Sequence, residues 1–164
     1  MDFTKQEWFY AEAYENQDFI NISTFSYCGI RTRDPDGENL CLSKSASNEE
    51  LGQATLLSLS KSRKIEQSEI ATFFDRDNVN QRYNNWVANL MEKYGYKTKR
   101  ALFKKMMQCS IEIRDGVLTI SPSIHEKLEG WGGGLPKSDD VVLPINSSPE
   151  EIGAGLRLAF SRCR

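Results

Sequence analysis

The chain has 164 residues, which is enough for one compact domain with its own hydrophobic core. Hydrophobic residues make up 39% and charged residues 27%, as in ordinary globular proteins. No apolar run approaches the roughly 20 residues that a membrane-spanning helix needs, and the N-terminus lacks the layout of a signal peptide, so we expect a cytoplasmic protein. The net charge of −2 argues against a general nucleic-acid binder.

The charges are unevenly distributed along the chain. Residues 1–53 hold ten acidic and four basic residues, whereas residues 54–114 hold six acidic and twelve basic residues. The N-terminal third is therefore a candidate acidic face for a basic partner, with Glu12, Glu15 and Asp18 as predicted contact residues and Asp139 and Asp140 as a later pair. The alternative is a merely solubilising surface. The wider candidate set also contains Asp2, Glu7, Asp34, Asp36 and Glu38.

Strand and turn signals in the first 45 residues predict a hairpin. Aromatic and β-branched residues over 19–28 indicate one or two strands. The Asp-Pro-Asp-Gly sequence at 34–37 indicates a turn, because proline presets φ and glycine tolerates positive φ. Residues 39–43 then form a returning strand.

Asp115-Gly116 lies between two alternating runs and predicts a second hairpin with a type I′ turn. In that register Ile113 faces Leu118 and Ile111 faces Ile120, so the four side chains share one buried face. The following segment, 121–146, is predicted as a long loop with a short strand at 141–143.

Capping boxes predict the starts of two helices. Ser47 and Glu50 begin a helix over about 48–63, and Ser148, Pro149 and Glu151 begin the C-terminal helix. The remaining predictions are a short helix or strand over 68–74, a helix over 78–94 and a basic helix over 99–107. The pattern predicts an α+β fold in a single domain, 1–164, with an antiparallel sheet covered by several α-helices.

Gly153 and Gly155 stand out in the C-terminal helix. Inside a helix, each glycine lowers the stability of the helix by roughly 1 kcal/mol relative to alanine. We therefore expect the helix to approach a sheet or another helix closely at these positions.

His125 and the glycine run 132–134 are the candidate chemical groups. His125 is the only histidine, which excludes sites that need two, and Glu126 or Glu129 would orient it as a general base. The alternative is a loop histidine bonded to the backbone. The glycine run lacks the ending of a phosphate-binding loop, and we interpret it as a flexible loop that displays Trp131 at an interface, with a core tryptophan as the alternative.

Two further groups carry less information. Lys97, Lys99, Arg100, Lys104 and Lys105 form a basic cluster, which suits RNA contact or simply a solvated helix face. The four cysteines contain no CxxC pair and are expected to be reduced, with Cys109 and Cys163 pointing inward. No catalytic residue, cofactor or metal ligand is predicted.

The last 65 residues or so resemble a known family, and the N-terminal 100 resemble it loosely. The matching segments are Cys109–Ile113, Asp115-Gly116, Thr119–Pro122, His125–Trp131 and Ser147–Gly153. They resemble the CdiI family of contact-dependent growth inhibition immunity proteins. None of these segments is a catalytic motif.

The resemblance implies a bacterial cytoplasmic protein that binds the C-terminal toxin domain of a large effector, CdiA. Such toxins are often nucleases, and the immunity protein blocks them by covering the active site. Because contact residues vary between toxin–immunity pairs, the resemblance assigns none here.

Three hypotheses remain open from the sequence. The first is an immunity protein that neutralises a cognate toxin, and its predicted contacts are Trp131, Asp139, Asp140, Glu12, Glu15 and Asp18. The second is a small enzyme or nucleotide-binding module that uses His125 and the glycine run. The third is an RNA-binding adaptor that uses the basic cluster.

Overall fold

The computed structural model describes all 164 residues. Its strands are β1 (Trp8–Glu15), β2 (Phe19–Cys28), β3 (Ile30–Arg33), β4 (Asn39–Ser43), β5 (Met107–Arg114), β6 (Val117–Pro122), β7 (Ile124–Lys127), β8 (Gly130–Gly132) and β9 (Val141–Pro144). Its α-helices are α1 (Asn48–Ser60), α2 (Ile70–Phe73), α3 (Arg76–Tyr94), α4 (Lys99–Phe103) and α5 (Pro149–Arg162), and a 3-10 turn spans Lys137–Asp139. No helix has both the length and the apolar character that crossing a membrane requires.

Seven strands form one antiparallel sheet in the order β3-β2-β1-β5-β6-β9, and β4 pairs with the other half of β2. The predicted α+β class is confirmed. Strand β1 lies in the middle of the sheet, although the sequence analysis assigned no strand before residue 19. It alternates buried small or aromatic residues with larger partly exposed ones, which is the period that a sheet with two different faces requires.

The predicted hairpin register is confirmed. Ile113 pairs with Leu118 and Ile111 with Ile120, and all four side chains are at most 1% exposed. Asp115 and Gly116 have φ values of 49° and 76°, the left-handed conformation that a type I′ turn requires at both central positions.

Helices α1 and α5 cover most of one face of the sheet. Both predicted capping boxes are formed, and each serine side chain accepts a hydrogen bond from the amide of its glutamate partner. The two helices pack so closely that a Cβ on Gly153 would lie 1.8 Å from the Asn48 carbonyl oxygen, which confirms the expected close approach. We call this layer the first core; its largest members include Phe9, Ile20, Ile22, Leu51, Leu59, Ile111, Ile113, Ile152 and Leu156.

Helices α3 and α4 cover only part of the opposite face. The second core beneath them consists of Tyr14, Phe19, Trp86, Val87, Leu90, Leu102, Phe103 and Met106. The basic helix predicted over 99–107 is shorter than expected and ends at Phe103. The chain turns there because Met106 is fully buried in the second core, and Met107 already pairs with Glu15 as the start of β5.

The predicted loop 121–146 contains more structure than expected. Strands β7 and β8 form a separate two-stranded hairpin, where the sequence predicted no strand. Its position depends on distant contacts, because the His125 amide donates to the Arg164 carbonyl oxygen at 2.7 Å. The predicted strand at 141–143 is present as β9.

Candidate interaction surface

His125 is bonded to the backbone rather than to a carboxylate. Its Nε2 lies 2.9 Å from the Leu128 carbonyl oxygen, and its ring stacks on Trp131 with a centroid distance of 5.0 Å. Glu129, one of the two predicted orienting groups, instead accepts a hydrogen bond from Tyr83 and forms an ion pair with Lys99. The arrangement is the one expected for a structural loop histidine.

The structure contains no cluster of three or more histidine, cysteine, aspartate or glutamate side chains with metal-binding geometry. Cys109 and Cys163 are buried as predicted, with their sulfur atoms 3.7 Å apart. The hydrogen bond from Cys109 lowers the pKa of Cys163 to about 7. Burial raises the pKa of Cys109 well above its usual value.

Trp131 anchors the β7–β8 hairpin to the sheet. Its indole N–H donates to the Met106 carbonyl oxygen at 2.9 Å, and its ring meets Tyr14 edge-on at 5.6 Å. The side chain is partly buried against the second core, and the residue also lines an open cleft. Trp131 is therefore partly a core residue, as in the second alternative, and its role at an interface stays a prediction.

The predicted acidic contacts do not share one face. Glu12 and Glu15 lie three residues apart on β1, so their side chains point to opposite faces of the sheet. Glu15 forms an ion pair with Lys44 at 3.3 Å on the side of the first core. Glu12 lies on the opposite side, where it accepts a hydrogen bond from Tyr14. Burial raises the pKa of Tyr14 well above its usual value, and the neighbouring Glu12 charge adds to the effect.

The other predicted acids lie elsewhere. Asp18 is exposed in the β1–β2 turn and accepts a hydrogen bond from Tyr96. Asp139 and Asp140 are half-buried just before β9, where Arg162 donates to the Asp139 carbonyl oxygen at 2.9 Å.

Asp34, from the wider candidate set, is buried and serves a structural role. Its carboxylate accepts hydrogen bonds from Arg63 at 2.8 Å and from Ser26 at 2.6 Å. Burial alone would raise the pKa of Asp34, but these bonds and one from the Asp36 amide outweigh it and hold the pKa below its usual value. Asp34 is therefore unavailable as part of an acidic docking face.

The structure brings Glu12 and Trp131 together in one cleft. The cleft has a volume of about 410 Å³ and lies between the sheet and the β7–β8 hairpin. Ser110, Ser121, Gln108 and Arg31 also line it, so its walls present hydroxyl and amide groups together with one carboxylate and one guanidinium group. At its edge, a Cβ on Gly132 would lie 2.6 Å from the carboxyl group of Glu126, an exposed side chain that can move aside.

A larger surface beside the cleft was not singled out from sequence. Helices α3 and α4 leave the other half of this side of the sheet uncovered, and we call that region the open face. It is defined by Trp8, Tyr10, Arg31, Glu112, Arg114 and Val142. The signal in the sequence is the aromatic pair at 8 and 10, which alternates with the buried residues at 9 and 11 and so has to point away from the first core.

Aromatic rings and guanidinium groups stack along the open face. Trp8 and Tyr10 are parallel to within 9° with centroids 5.7 Å apart. Arg114 lies 4.2 Å from the centroid of Trp8, and Arg31 lies 4.7 Å from that of Tyr10. These three residue types are the ones most enriched among the energetically dominant residues of protein interfaces.

The basic cluster remains on the protein surface, and all five of its residues are exposed. Lys99 forms an ion pair with Glu129 at 3.3 Å. Arg100 and Lys104 flank a shallow groove beside His125.

Comparisons with known proteins identify the family. The profile of the family described as CdiI: CDI immunity protein matches residues 9–163. Immunity protein CdiI-YPIII of Yersinia pseudotuberculosis serotype O:3 (strain YPIII) is 44% identical over 176 residues, which covers 99% of this chain and 98% of that protein.

Two solved structures are similar over nearly the whole chain. A protein of unknown function from Neisseria meningitidis has a TM-score of 0.94 and 43% identity, with full coverage of both chains. A chain from the CdiA-CT/CdiI toxin and immunity complex of Yersinia pseudotuberculosis has a TM-score of 0.89 and 40% identity, covering 97% of this chain and 99% of that one. This chain therefore belongs to the CdiI family of immunity proteins of contact-dependent growth inhibition.

Proposed function

We propose that this chain binds the C-terminal toxin domain of its cognate CdiA and neutralises it by covering the toxin's active site. The observation that carries the proposal is the similarity to the chain from the Yersinia pseudotuberculosis toxin and immunity complex, which extends over 97% of this sequence. In this mechanism the chain acts by binding alone, in the cytoplasm, and is not an enzyme.

The toxin in this proposal is a nuclease. A nuclease binds a polyanion and therefore presents a basic active-site cleft, to which carboxylates of an inhibitor can bind in place of phosphates. Glu12 and Trp131 are the proposed contacts with the best supporting geometry, because they line the same cleft. Glu15, Asp18, Asp139 and Asp140 remain proposed contacts, although they lie outside it.

A growth assay tests neutralisation. The C-terminal toxin domain of the cognate CdiA is expressed from an inducible promoter in a host that lacks the immunity gene, with or without this chain. We expect growth to stop without it and to continue with it, and the two proteins to co-purify. If the chain neither binds the toxin nor restores growth, the proposal is wrong.

A second assay tests the nature of the toxin. Total RNA and plasmid DNA are incubated with the purified toxin domain, with and without an equimolar amount of this chain. We expect one of the two nucleic acids to be degraded, and degradation to cease when the chain is added. A toxin that cleaves neither would remove the nuclease part of the proposal and leave the binding part standing.

A further inference from the structure

We infer that the open face is the main docking surface for the toxin domain, which rests on the proposed function. Its centre is the stack of Trp8 and Tyr10 with Arg31 and Arg114 on their rings. The occupant is a folded protein surface that places a carboxylate against Arg31, a cation against Glu112 and apolar groups over the aromatic rings.

The free charges on this face specify the partner's chemistry. Arg114 already has Glu7 and Asp115 as ion-pair partners at 3.3 and 3.5 Å. Arg31 and Glu112 are different, because neither takes part in any ion pair of the chain. Both are available to charges that a partner supplies.

The mixture of charges favours a protein over a nucleic acid. Aromatic rings and arginines on a sheet can stack bases and bind phosphates. Here, however, Glu112 lies directly opposite Tyr10 on the neighbouring strand, and Glu12 follows two residues later on β1. A phosphate backbone laid across this face would approach both carboxylates, whereas a protein can supply charges of both signs.

The apolar part of the face extends towards the edge strand β9. Val142 is 60% exposed there, and Thr119 lies between it and Glu112 in the same row across the strands. Val117, which pairs with Arg114 on the same face, is 40% exposed. Exposed aliphatic side chains beside an aromatic centre suit an interface whose middle excludes water.

The open face is smaller than the area that one partner typically buries in a stable interface. Six strands about 4.8 Å apart and two rows of side chains about 7 Å apart give an area on the order of 400 Å². A typical stable interface buries about 800 Å² on each partner. The cleft with Glu12 and Trp131 continues the same surface, so the toxin is expected to contact the cleft as well as the open face.

Binding measurements with single variants test the inference. The probe is the C-terminal toxin domain of the cognate CdiA, in a catalytically inactive variant, and Kd is measured by calorimetry. We expect Arg31→Glu, Trp8→Ala and Tyr10→Ala each to raise Kd at least tenfold. Two matched controls lie outside this face: Arg76→Glu at the start of α3 and Leu158→Ala on the outer side of α5 should each change Kd less than twofold.

A second measurement avoids any effect of the substitutions on folding. Hydroxyl-radical footprinting of the wild-type chain, free and in complex, should show less oxidation of Trp8 and Tyr10 in the complex. If the wild type binds the toxin but the three variants bind equally well and the two rings stay reactive, the docking surface is wrong while the proposed function stands. If the wild-type chain does not bind the toxin at all, both the docking surface and the proposed function are wrong.

Two other occupants give distinct outcomes. If light scattering shows a homodimer and Arg31→Glu dissociates it, the face binds a second copy of this chain. If the chain shifts transfer RNA in a gel and Arg31→Glu abolishes the shift, the face binds RNA. Either result would overturn the inference, and a monomer that binds no RNA supports it.

Discussion

Substitution of Gly153 by alanine sets helix propensity against helix packing. A Cβ at this position would lie 1.8 Å from the Asn48 carbonyl oxygen, and one on Gly52 would lie 1.8 Å from the Pro149 carbonyl oxygen. Ordinary contacts of this kind begin near 3.4 Å. Because both obstacles are backbone atoms, α1 and α5 would have to separate by about 1.5 Å.

The free-energy cost of this separation follows from the side chains packed beneath the two helices. Leu51, Leu59, Ile152 and Leu156 are fully buried beneath the two helices. Each contributes about 2 kcal/mol by burial, and a gap of about 1 Å forfeits a quarter to a half of the contact energy, or about 2–4 kcal/mol in total. Alanine returns about 1 kcal/mol through its higher helix propensity. We therefore expect Gly153→Ala to lower the free energy of unfolding by about 1–3 kcal/mol.

Urea unfolding followed by far-UV circular dichroism measures the effect. Gly133→Ala is the control, because nothing lies within 4 Å of a Cβ there, and it should stay within about 0.5 kcal/mol of the wild type. The double variant with Gly52→Ala should lose less than the sum of the singles, since one separation relieves both clashes. A Gly153→Ala protein more stable than the wild type would show that α1 and α5 do not pack as closely as described.

Three further outcomes are expected. Because the pKa of Asp34 is held below its usual value, its stabilising effect should be complete above about pH 4 and lost as the pH falls through the folded-state pKa. The stability difference between the wild type and Asp34→Asn, measured by urea unfolding from pH 7 to pH 2, should therefore shrink below about pH 4. His125→Ala should leave protection from the toxin largely intact, as judged by the growth assay, because the ring bonds to the backbone and supports Trp131 rather than lying on the open face; loss of protection with normal stability would contradict this. Ser148→Ala should cost about 1 kcal/mol, seen as a lower thermal midpoint, since the side chain caps α5.

Features set by neighbouring residues could be predicted from sequence. The register of the β5–β6 hairpin follows from Asp115-Gly116, because only one turn type accepts two left-handed residues in a two-residue loop. The starts of α1 and α5 follow from their capping boxes for the same local reason. The family resemblance, found mainly in the last 65 residues, is confirmed over residues 9–163.

Features that depend on distant partners could not be predicted. The small β7–β8 hairpin is held by Met106 and Arg164, which lie many residues away in the sequence. Sequence order also gives no indication that Asp34 is buried on Arg63, because that depends on where the chain after α1 returns to the sheet. The open face was missed because it is a property of what the helices leave uncovered, and no single segment encodes that.

The central position of β1 determines when the chain can fold during its synthesis. Strand β1 pairs with β5, about 100 residues further along the chain, and α1 packs on α5 at a similar separation. Such long-range pairing is slow to form and leaves neither half of the sequence with a complete core of its own. A ribosome-bound chain without its last helix would expose Leu51 and Ile111. The complete core, and with it the folded protein, therefore forms only after α5 has been synthesised.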